Sequence, residues 1–173
     1  MLSGSHRVGA VDVRLARLDD AEAIRTIYNL EVTGSTCTFD LVPRTLADQE
    51  AWLAKHRGAH PAVVAVDDES GQVVGFGSLG PYRSRPAYST TVEDSVYVRR
   101  DQHRKGVGRA LLGELVGLAT DHGFHAVMGR IVGGHEASIR LHEACGFELV
   151  GVEREVGRKF GRWLDVVVME RLL

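Results

Sequence analysis

The sequence predicts an α+β fold, in which about four helices cover one mixed, mostly antiparallel, seven-stranded sheet. Two observations support this prediction: the elements follow the order βααβββαβαββ, and runs of strands are interrupted by single helices. The 173 residues, of which 44% are hydrophobic, suffice for one domain with one sizeable core. We therefore expect a single domain over residues 11–173, preceded by a flexible leader over residues 1–10.

Periodicity and capping residues predict the elements of the first part of the chain. Residues 11–17 alternate apolar and polar side chains, as a half-buried strand does. Asp19 is placed to cap the following helix, which has an apolar stripe over residues 23–30. After a loop rich in Thr, Ser and Gly, Thr45 caps a second amphipathic helix that extends to about Arg57.

The rest of the chain contains six predicted strands and two predicted helices. Two strands within residues 61–80 are joined by an acidic turn that closes on Gly71. The elements that follow are an extended run over 89–98, a long helix over 107–119, a buried strand over 126–132, a helix over 137–145, and strands over 147–156 and 163–172.

Composition and charge exclude several classes of protein. The 21 Lys+Arg nearly balance the 23 Asp+Glu, so the net charge of -2 does not indicate nucleic acid or a membrane as a partner. No apolar stretch reaches the roughly 18 residues of a membrane span, and the N-terminal segment does not resemble a secretion signal. Cys37 and Cys145 stand in unrelated contexts, as expected for reduced thiols in a cytoplasmic protein. His135 and His142 would lie about 10 Å apart along a helix, so no metal site is expected.

One glycine-rich string matches a nucleotide-binding pattern in the wrong context. Gly75 to Gly80 reads G-x-G-x-x-G and follows a strand, but that fingerprint requires a helix to begin at the string. Pro81 and Pro86 follow, and proline neither donates a backbone N–H nor continues a helix. We therefore expect these glycines to allow strand bending or the close approach of a ligand. A nucleotide-binding protein remains a minor alternative.

A second glycine-rich segment has the context of an anion site. A strand ends at Val98, a charged turn follows, and residues 104–109 (RKGVGR) open the long helix. Glycines leave room for a phosphate, and the free N–H groups of the first helical turn point outward together. The segment lacks the Gly-Lys-Ser/Thr ending of a nucleoside triphosphatase. The alternative is an ordinary helix start with solvated basic residues.

The runs DSVYVRRDQHRKGVGRALL and ASIRLHEACGF resemble the GNAT superfamily of N-acetyltransferases. The flanking runs IYNLEVTGSTCTF, GPYRSRPAYSTTVEDSVYV and GRKFGRWLDVVVMERL resemble its phosphinothricin acetyltransferase branch, which includes methionine sulfoximine and methionine sulfone acetyltransferases. The resemblance covers nearly everything after residue 11. It implies a GNAT fold, acetyl-CoA as co-substrate and a homodimer.

The resemblance also implies which residues hold the cofactor. Residues 96–98 match the strand that pairs with the pantetheine arm, and residues 104–109 match the pyrophosphate turn. His103 and His135 stand where the superfamily usually has Gln or Arg and the branch usually has Asn, and a histidine also donates hydrogen bonds. The expected cofactor-binding residues are Val96, Tyr97, Val98, Arg104, Lys105, Gly106, Val107, Gly108, Arg109, His135 and Ser138.

Glu93 and His142 are the expected catalytic residues on the same resemblance. Glu93 matches the proposed general base, and His142 falls near the thioester sulfur, where an acid would assist the leaving thiolate. A backbone N–H near Val96 would stabilise the tetrahedral intermediate. Taken without the resemblance, Glu93 is a solvated strand carboxylate and His142 a capped or core-edge histidine.

The substrate-binding residues are expected to be Phe39, Arg83, Arg85 and Glu93. Branch relatives place basic groups near the carboxylate of an amino acid, which a guanidinium binds in bidentate fashion. The alternative for both arginines is an exposed loop. Lys159, Arg162 and Trp163 are expected to shape the pocket, with Trp163 in the core as an alternative.

The sequence therefore predicts an enzyme that acetylates the α-amine of a small amino acid such as phosphinothricin, methionine sulfoximine or methionine sulfone. One alternative is another amine, such as an antibiotic, a polyamine or a protein N-terminus, although Arg83 and Arg85 would repel a polyamine. A further alternative is a non-catalytic acyl-CoA-binding module.

Overall fold

The computed structural model describes the backbone of residues 6–8 and the whole of residues 10–173. Strand β1 (His6–Val8) pairs antiparallel with β2 (Val11–Leu15). The predicted flexible leader over residues 1–10 therefore contains a short strand. The prediction for residues 1–5 and 9 lies outside the described residues.

The described part of the chain contains eight strands and four α-helices, in the predicted order with β1 added before it. After β1 and β2 they are α1 (Ala21–Gly34), α2 (Leu46–Lys55), β3 (Ala62–Asp67), β4 (Val73–Pro81), β5 (Thr91–Val98), α3 (Val107–Asp121), β6 (Ala126–Val132), α4 (Glu136–Ala144), β7 (Glu148–Lys159) and β8 (Arg162–Leu172).

All eight strands join one sheet in the order β1-β2-β3-β4-β5-β6-β8-β7. Every neighbouring pair in it is antiparallel except β5 and β6, which run parallel. The predicted mixed, mostly antiparallel α+β sheet is thus confirmed. No helix in the described part of the chain is long and apolar enough to cross a membrane.

Helix starts follow local capping chemistry, with one correction. At α2, the Thr45 side chain accepts a hydrogen bond from the Asp48 N–H (3.1 Å), and the Asp48 carboxylate accepts one from the Thr45 N–H (3.0 Å). Asp19 is not the cap of α1, because it lies inside a 3-10 turn. Asp20 precedes α1 instead, and its carboxylate accepts a hydrogen bond from the Arg17 N–H (2.7 Å) and two from Arg14.

The sheet separates two apolar clusters. One lies beneath α3 and includes Leu111 and Leu115, and the other lies beneath α1 and α2 around Phe76. Gly75 and Gly77 lie inside β4, where an added Cβ would approach the Leu111 and Leu115 side chains to 3.0 and 2.9 Å. The G-x-G-x-x-G string therefore opens no helix, and side chains of α3 and carbonyls of β5 closely approach Gly75 and Gly77.

The parallel pair β5–β6 opens partway along its length. Among the described residues its ladder covers Thr91, Val92 and Glu93 on β5, opposite Ala126 to Met128 on β6. Both strands continue beyond these positions, to Val98 and to Val132. The two strands thus separate after Glu93, leaving the facing backbone edges of their C-terminal halves outside the shared ladder.

Candidate active site

A cavity of about 570 Å³ lies along β5, between the start of α3 and the start of α4. It collects nearly all the residues that were predicted to bind the cofactor. They are Val96, Tyr97, Val98, Arg104, Gly106, Val107, Gly108, Arg109, His135 and Ser138. Lys105, the remaining predicted residue, is exposed and is not among those that line the cavity.

The turn into α3 presents unpaired backbone donors to this cavity. Gly106 caps the helix with a left-handed φ of 84°, and Arg104 two residues earlier has a φ of 64°. The first helical hydrogen bond runs from the Ala110 N–H to the Gly106 carbonyl (3.0 Å). The N–H groups of residues 107–109 therefore remain available to an anion, with Arg104 and Arg109 beside them.

Histidines lie at two edges of this cavity. The His103 ring Nε2 is 3.0 Å from the Val98 carbonyl, so the ring ties the turn back to β5. His135 precedes α4, and burial lowers the pKa of its imidazole, which favours the neutral ring. Both histidines thus border the larger cavity.

A smaller cavity of about 70 Å³ occupies the gap where β5 and β6 separate. It shares Val96, Tyr97 and Ser138 with the larger cavity and extends to Asp94 and His142. A molecule bound along β5 would therefore end beside these two side chains.

His142 is buried, with 4% of its surface exposed, and both ring nitrogens contact protein atoms. Nδ1 is 2.8 Å from the Ser138 carbonyl, and Nε2 is 3.2 Å from a carboxylate oxygen of Asp94. Burial disfavours the charged imidazolium, but the hydrogen bond and charge of Asp94 outweigh it, so the pKa of His142 is raised. His142 is thus a buried histidine with a partner at each ring nitrogen, rather than only a capping or core-edge one.

Glu93 points to the face of the sheet opposite to that of Asp94, because successive residues of a strand point to opposite faces. It is paired in register with Gly80 of β4 and Met128 of β6, at the last position before the strands separate. Burial raises the pKa of Glu93, and the positive charges of Arg130 and Arg83 only partly offset this effect. Glu93 is therefore a half-buried carboxylate with raised basicity rather than a solvated one.

The predicted substrate residues are not among those that line either cavity. The Phe39 ring, 42% exposed, packs over Gly157 of β7, where an added Cβ would fall 2.3 Å from the ring. Arg83 stacks near the ring of Tyr82, with its guanidinium carbon 5.0 Å from the ring centre. Arg85 is exposed at the start of the next 3-10 turn. The described lining of the two cavities does not include Phe39, Arg83, Arg85 or Glu93.

Lys159 links the end of β7 to the loop that carries Phe39. Its ammonium donates to the Thr38 carbonyl (2.8 Å) and the Glu31 carbonyl (3.4 Å), and only 3% of the residue is exposed. Burial lowers the pKa of this lysine. Trp163, by contrast, is 60% exposed, so the alternative that placed it in the core is wrong.

Sequence reasoning missed Asp94, although a signal was present. Asp94 shares one face of β5 with Val92, Val96 and Val98, and a charge within such an apolar series requires a buried partner. It also missed Cys37, which lines both cavities, because loop positions carry no periodicity. The described residues contain no group of three or more His, Cys, Asp or Glu that could hold a metal ion.

The site therefore combines a parallel strand pair that opens along its length with a glycine-capped helix start beside it. A family model described as an acetyltransferase (GNAT) domain matches residues 13–168, and the chain belongs to this family. The predicted membership of the GNAT superfamily is confirmed.

Individual relatives agree over almost the whole chain. An L-methionine sulfoximine/L-methionine sulfone acetyltransferase of Pseudomonas paraeruginosa is 41% identical and covers 93% of this chain and 94% of its own. A phosphinothricin acetyltransferase structure from Sinorhizobium meliloti, in complex with acetyl-CoA, is 39% identical and has a TM-score of 0.90. The match covers 95% of this chain and 89% of that structure's chain. A ribosomal-protein-alanine N-acetyltransferase structure from Brucella melitensis is 36% identical and has a TM-score of 0.89. The match covers 93% of this chain and 99% of that structure's chain.

Proposed function

We propose that this chain transfers an acetyl group from acetyl-CoA to the α-amine of a small amino acid of the phosphinothricin, methionine sulfoximine or methionine sulfone type. The observation that carries the proposal is the continuous lining from the anion-binding start of α3, along β5, to Asp94 and His142. This path suits a long ligand with phosphates at one end and a reactive group at the other.

The cofactor end of the proposal rests on backbone donors and arginines. The free N–H groups of residues 107–109, with Arg104 and Arg109, would hold the pyrophosphate. The open edge of β5 at Val96 to Val98 would pair with the amide groups of the pantetheine arm. Ser138 and His135 would contact the same arm from α4.

The catalytic roles follow from what amide formation requires. The attacking amine must be neutral, although a free α-amine is mostly protonated below a pH of about 8. Glu93, with its raised pKa, would accept that proton directly or through water. A backbone N–H near Val96 would bind the oxyanion, and His142 would supply a proton to the departing thiolate.

Arg83 and Arg85 would bind the substrate carboxylate, and Phe39 would cover the side chain. The exposed guanidinium groups suit bidentate binding, and Arg83 contributes to the electrostatic environment of Glu93. The names of the amino-acid-specific relatives support this substrate class.

The second candidate is acetylation of a protein N-terminus, which the Brucella relative favours. One assay separates the candidates: CoA release is followed with acetyl-CoA and a panel that contains methionine sulfone, methionine sulfoximine, phosphinothricin, a polyamine and alanine-initiated peptides. Turnover of the free amino acids alone supports the proposal, and turnover of the peptides alone refutes it.

The same assay tests the non-catalytic alternative. Glu93→Gln removes the base but keeps the side-chain shape, so turnover is expected to fall by about 10²–10⁴-fold. Acetyl-CoA affinity, measured by calorimetry, should stay close to that of the wild type. A wild type that binds acetyl-CoA but releases no CoA with any amine would support a binding module instead.

A homodimer and a cytoplasmic location are further parts of the proposal. Leu149, Val150, Val152 and Val156 of edge strand β7 are each more than half exposed, as suits a surface covered by a second copy. Sedimentation of the purified chain tests the dimer.

The cytoplasmic location rests on the cysteines. The free thiols of Cys37 and Cys145 suit a reducing compartment, and fractionation of cells that express the chain tests this location.

A further inference from the structure

Asp94 and His142 form a buried pair across the opening between β5 and β6. Asp94 is 6% exposed and His142 is 4% exposed, and the carboxylate Oδ2 is 3.2 Å from the ring Nε2. The second oxygen, Oδ1, is buried without a hydrogen-bond partner among the described residues. A carboxylate buried in this way is costly unless a proton lies at its one contact.

The hydrogen-bond partners determine how many protons the pair holds. The Ser138 carbonyl only accepts, so the Nδ1 atom of His142, 2.8 Å away, carries a hydrogen. If the Nε2 atom and the Asp94 carboxylate were both unprotonated, two lone pairs would face each other. The contact therefore contains a proton, either as imidazolium and carboxylate or as neutral imidazole and carboxylic acid.

The imidazole is also confined from other directions. Gly129 of β6 lies against the ring, and an added Cβ there would fall 2.7 Å from the ring Cδ2 atom. The ring of Phe147 packs edge-on against the imidazole, with the ring centres 5.0 Å apart. A side chain at position 129 would clash with the ring in this orientation. The contacts of both ring nitrogens and of Phe147 hold the ring there.

We propose that Asp94 is a positioning residue, which holds the imidazole of His142 in one orientation and keeps it protonated for the departing thiolate. This inference rests on the proposed function. In the absence of Asp94, burial would leave His142 neutral over most of the working pH range. The other ionisable groups that line the same cavity are Tyr97 from β5, Arg130 from β6, Cys37 from the loop after α1 and His135 at the start of α4. Arg130 would disfavour the imidazolium, which leaves Asp94 as the stabilising charge.

The first test is direct titration of His142 by NMR on the 15N-histidine-labelled chain, with the signal assigned from His142→Gln. Asp94→Asn keeps the shape of the side chain but removes its charge. The midpoint of the His142 titration is expected to fall by about 1–3 pH units. Asp121→Asn, at the exposed end of α3, is the matched control and should leave the midpoint unchanged. An unchanged midpoint in Asp94→Asn overturns the inference.

The second test is the pH profile of kcat. In Asp94→Asn, kcat should begin to fall at a lower pH than in the wild type. At a pH above both titration midpoints of His142, kcat of the variant should be roughly tenfold lower than that of the wild type for each pH unit by which the midpoint has fallen. KM for acetyl-CoA should not change. In a His142→Gln background, Asp94→Asn should have no further effect on kcat, and an equal loss in both backgrounds overturns the inference.

Two outcomes are kept apart by the choice of readout. If the wild type releases no CoA with any amino acid, the proposed function fails, but the titration of His142 still decides the inference because it needs no substrate. If Asp94→Asn does not fold, as judged by circular dichroism, Asp94→Ser removes the same charge and is titrated in its place.

Discussion

Gly157→Ala should weaken amino-acid binding by displacing Phe39. An added Cβ would lie 2.3 Å from the Phe39 ring, whereas ordinary contact begins at 3.4 Å, so the ring must move by about 1 Å. Because the ring is a half-exposed loop side chain, this move should cost less than about 1 kcal/mol of unfolding free energy. If Phe39 covers the substrate, KM for the amino acid should rise by about tenfold or more, since a misplacement of this size can cost up to about 100-fold.

Gly151→Ala provides the matched control for this experiment. Gly151 lies on the same strand, and nothing lies within 4 Å of its added Cβ. Initial rates of thiol release with varied amino acid and with varied acetyl-CoA give the two KM values, and thermal denaturation gives stability. If Gly157→Ala and Gly151→Ala have the same KM for the amino acid, Phe39 does not contact the substrate and the reasoning is refuted.

Three further predictions concern Gly106 at the start of α3, the buried Lys159 and the proposed base Glu93. Gly106→Ala and Gly71→Ala both force alanine into a left-handed conformation and should each lose about 1–2 kcal/mol of stability, but only Gly106→Ala should weaken acetyl-CoA binding in calorimetry. Lys159→Met leaves a buried carbonyl without its donor and should lose about 1–3 kcal/mol in urea denaturation, whereas the exposed Lys55→Met should lose almost nothing. Because burial raises the pKa of Glu93 above 4.5, kcat/KM should fall as the pH drops through that raised value, and a profile flat down to pH 4.5 would contradict this role.

Much of the proposed cofactor site could be predicted from the sequence because its residues are nearly contiguous in the chain. A strand that ends at Val98, a basic turn and Gly106 before an apolar helical stripe are all local features, and together they predict an anion site. The same local rules correctly placed Thr45 as a cap and dismissed the glycine string in β4. They failed at Asp19, because a 3-10 turn and the ion pair between Asp20 and Arg14 delay the start of α1.

The sequence by itself determined the order of the elements from β2 onward, the class of the sheet and the proposed phosphate-binding end of the site, because periodicity, capping and glycine conformation act within a few residues. Only the tertiary structure decided where β5 and β6 separate, since strand register is a property of two segments and not of one. It also decided that Asp94 contacts His142, 48 positions away, and that Lys159 holds the Thr38 carbonyl, 121 positions away. A buried charge needs a partner close to it in the folded structure, and the sequence alone does not show which distant residue the packing places there.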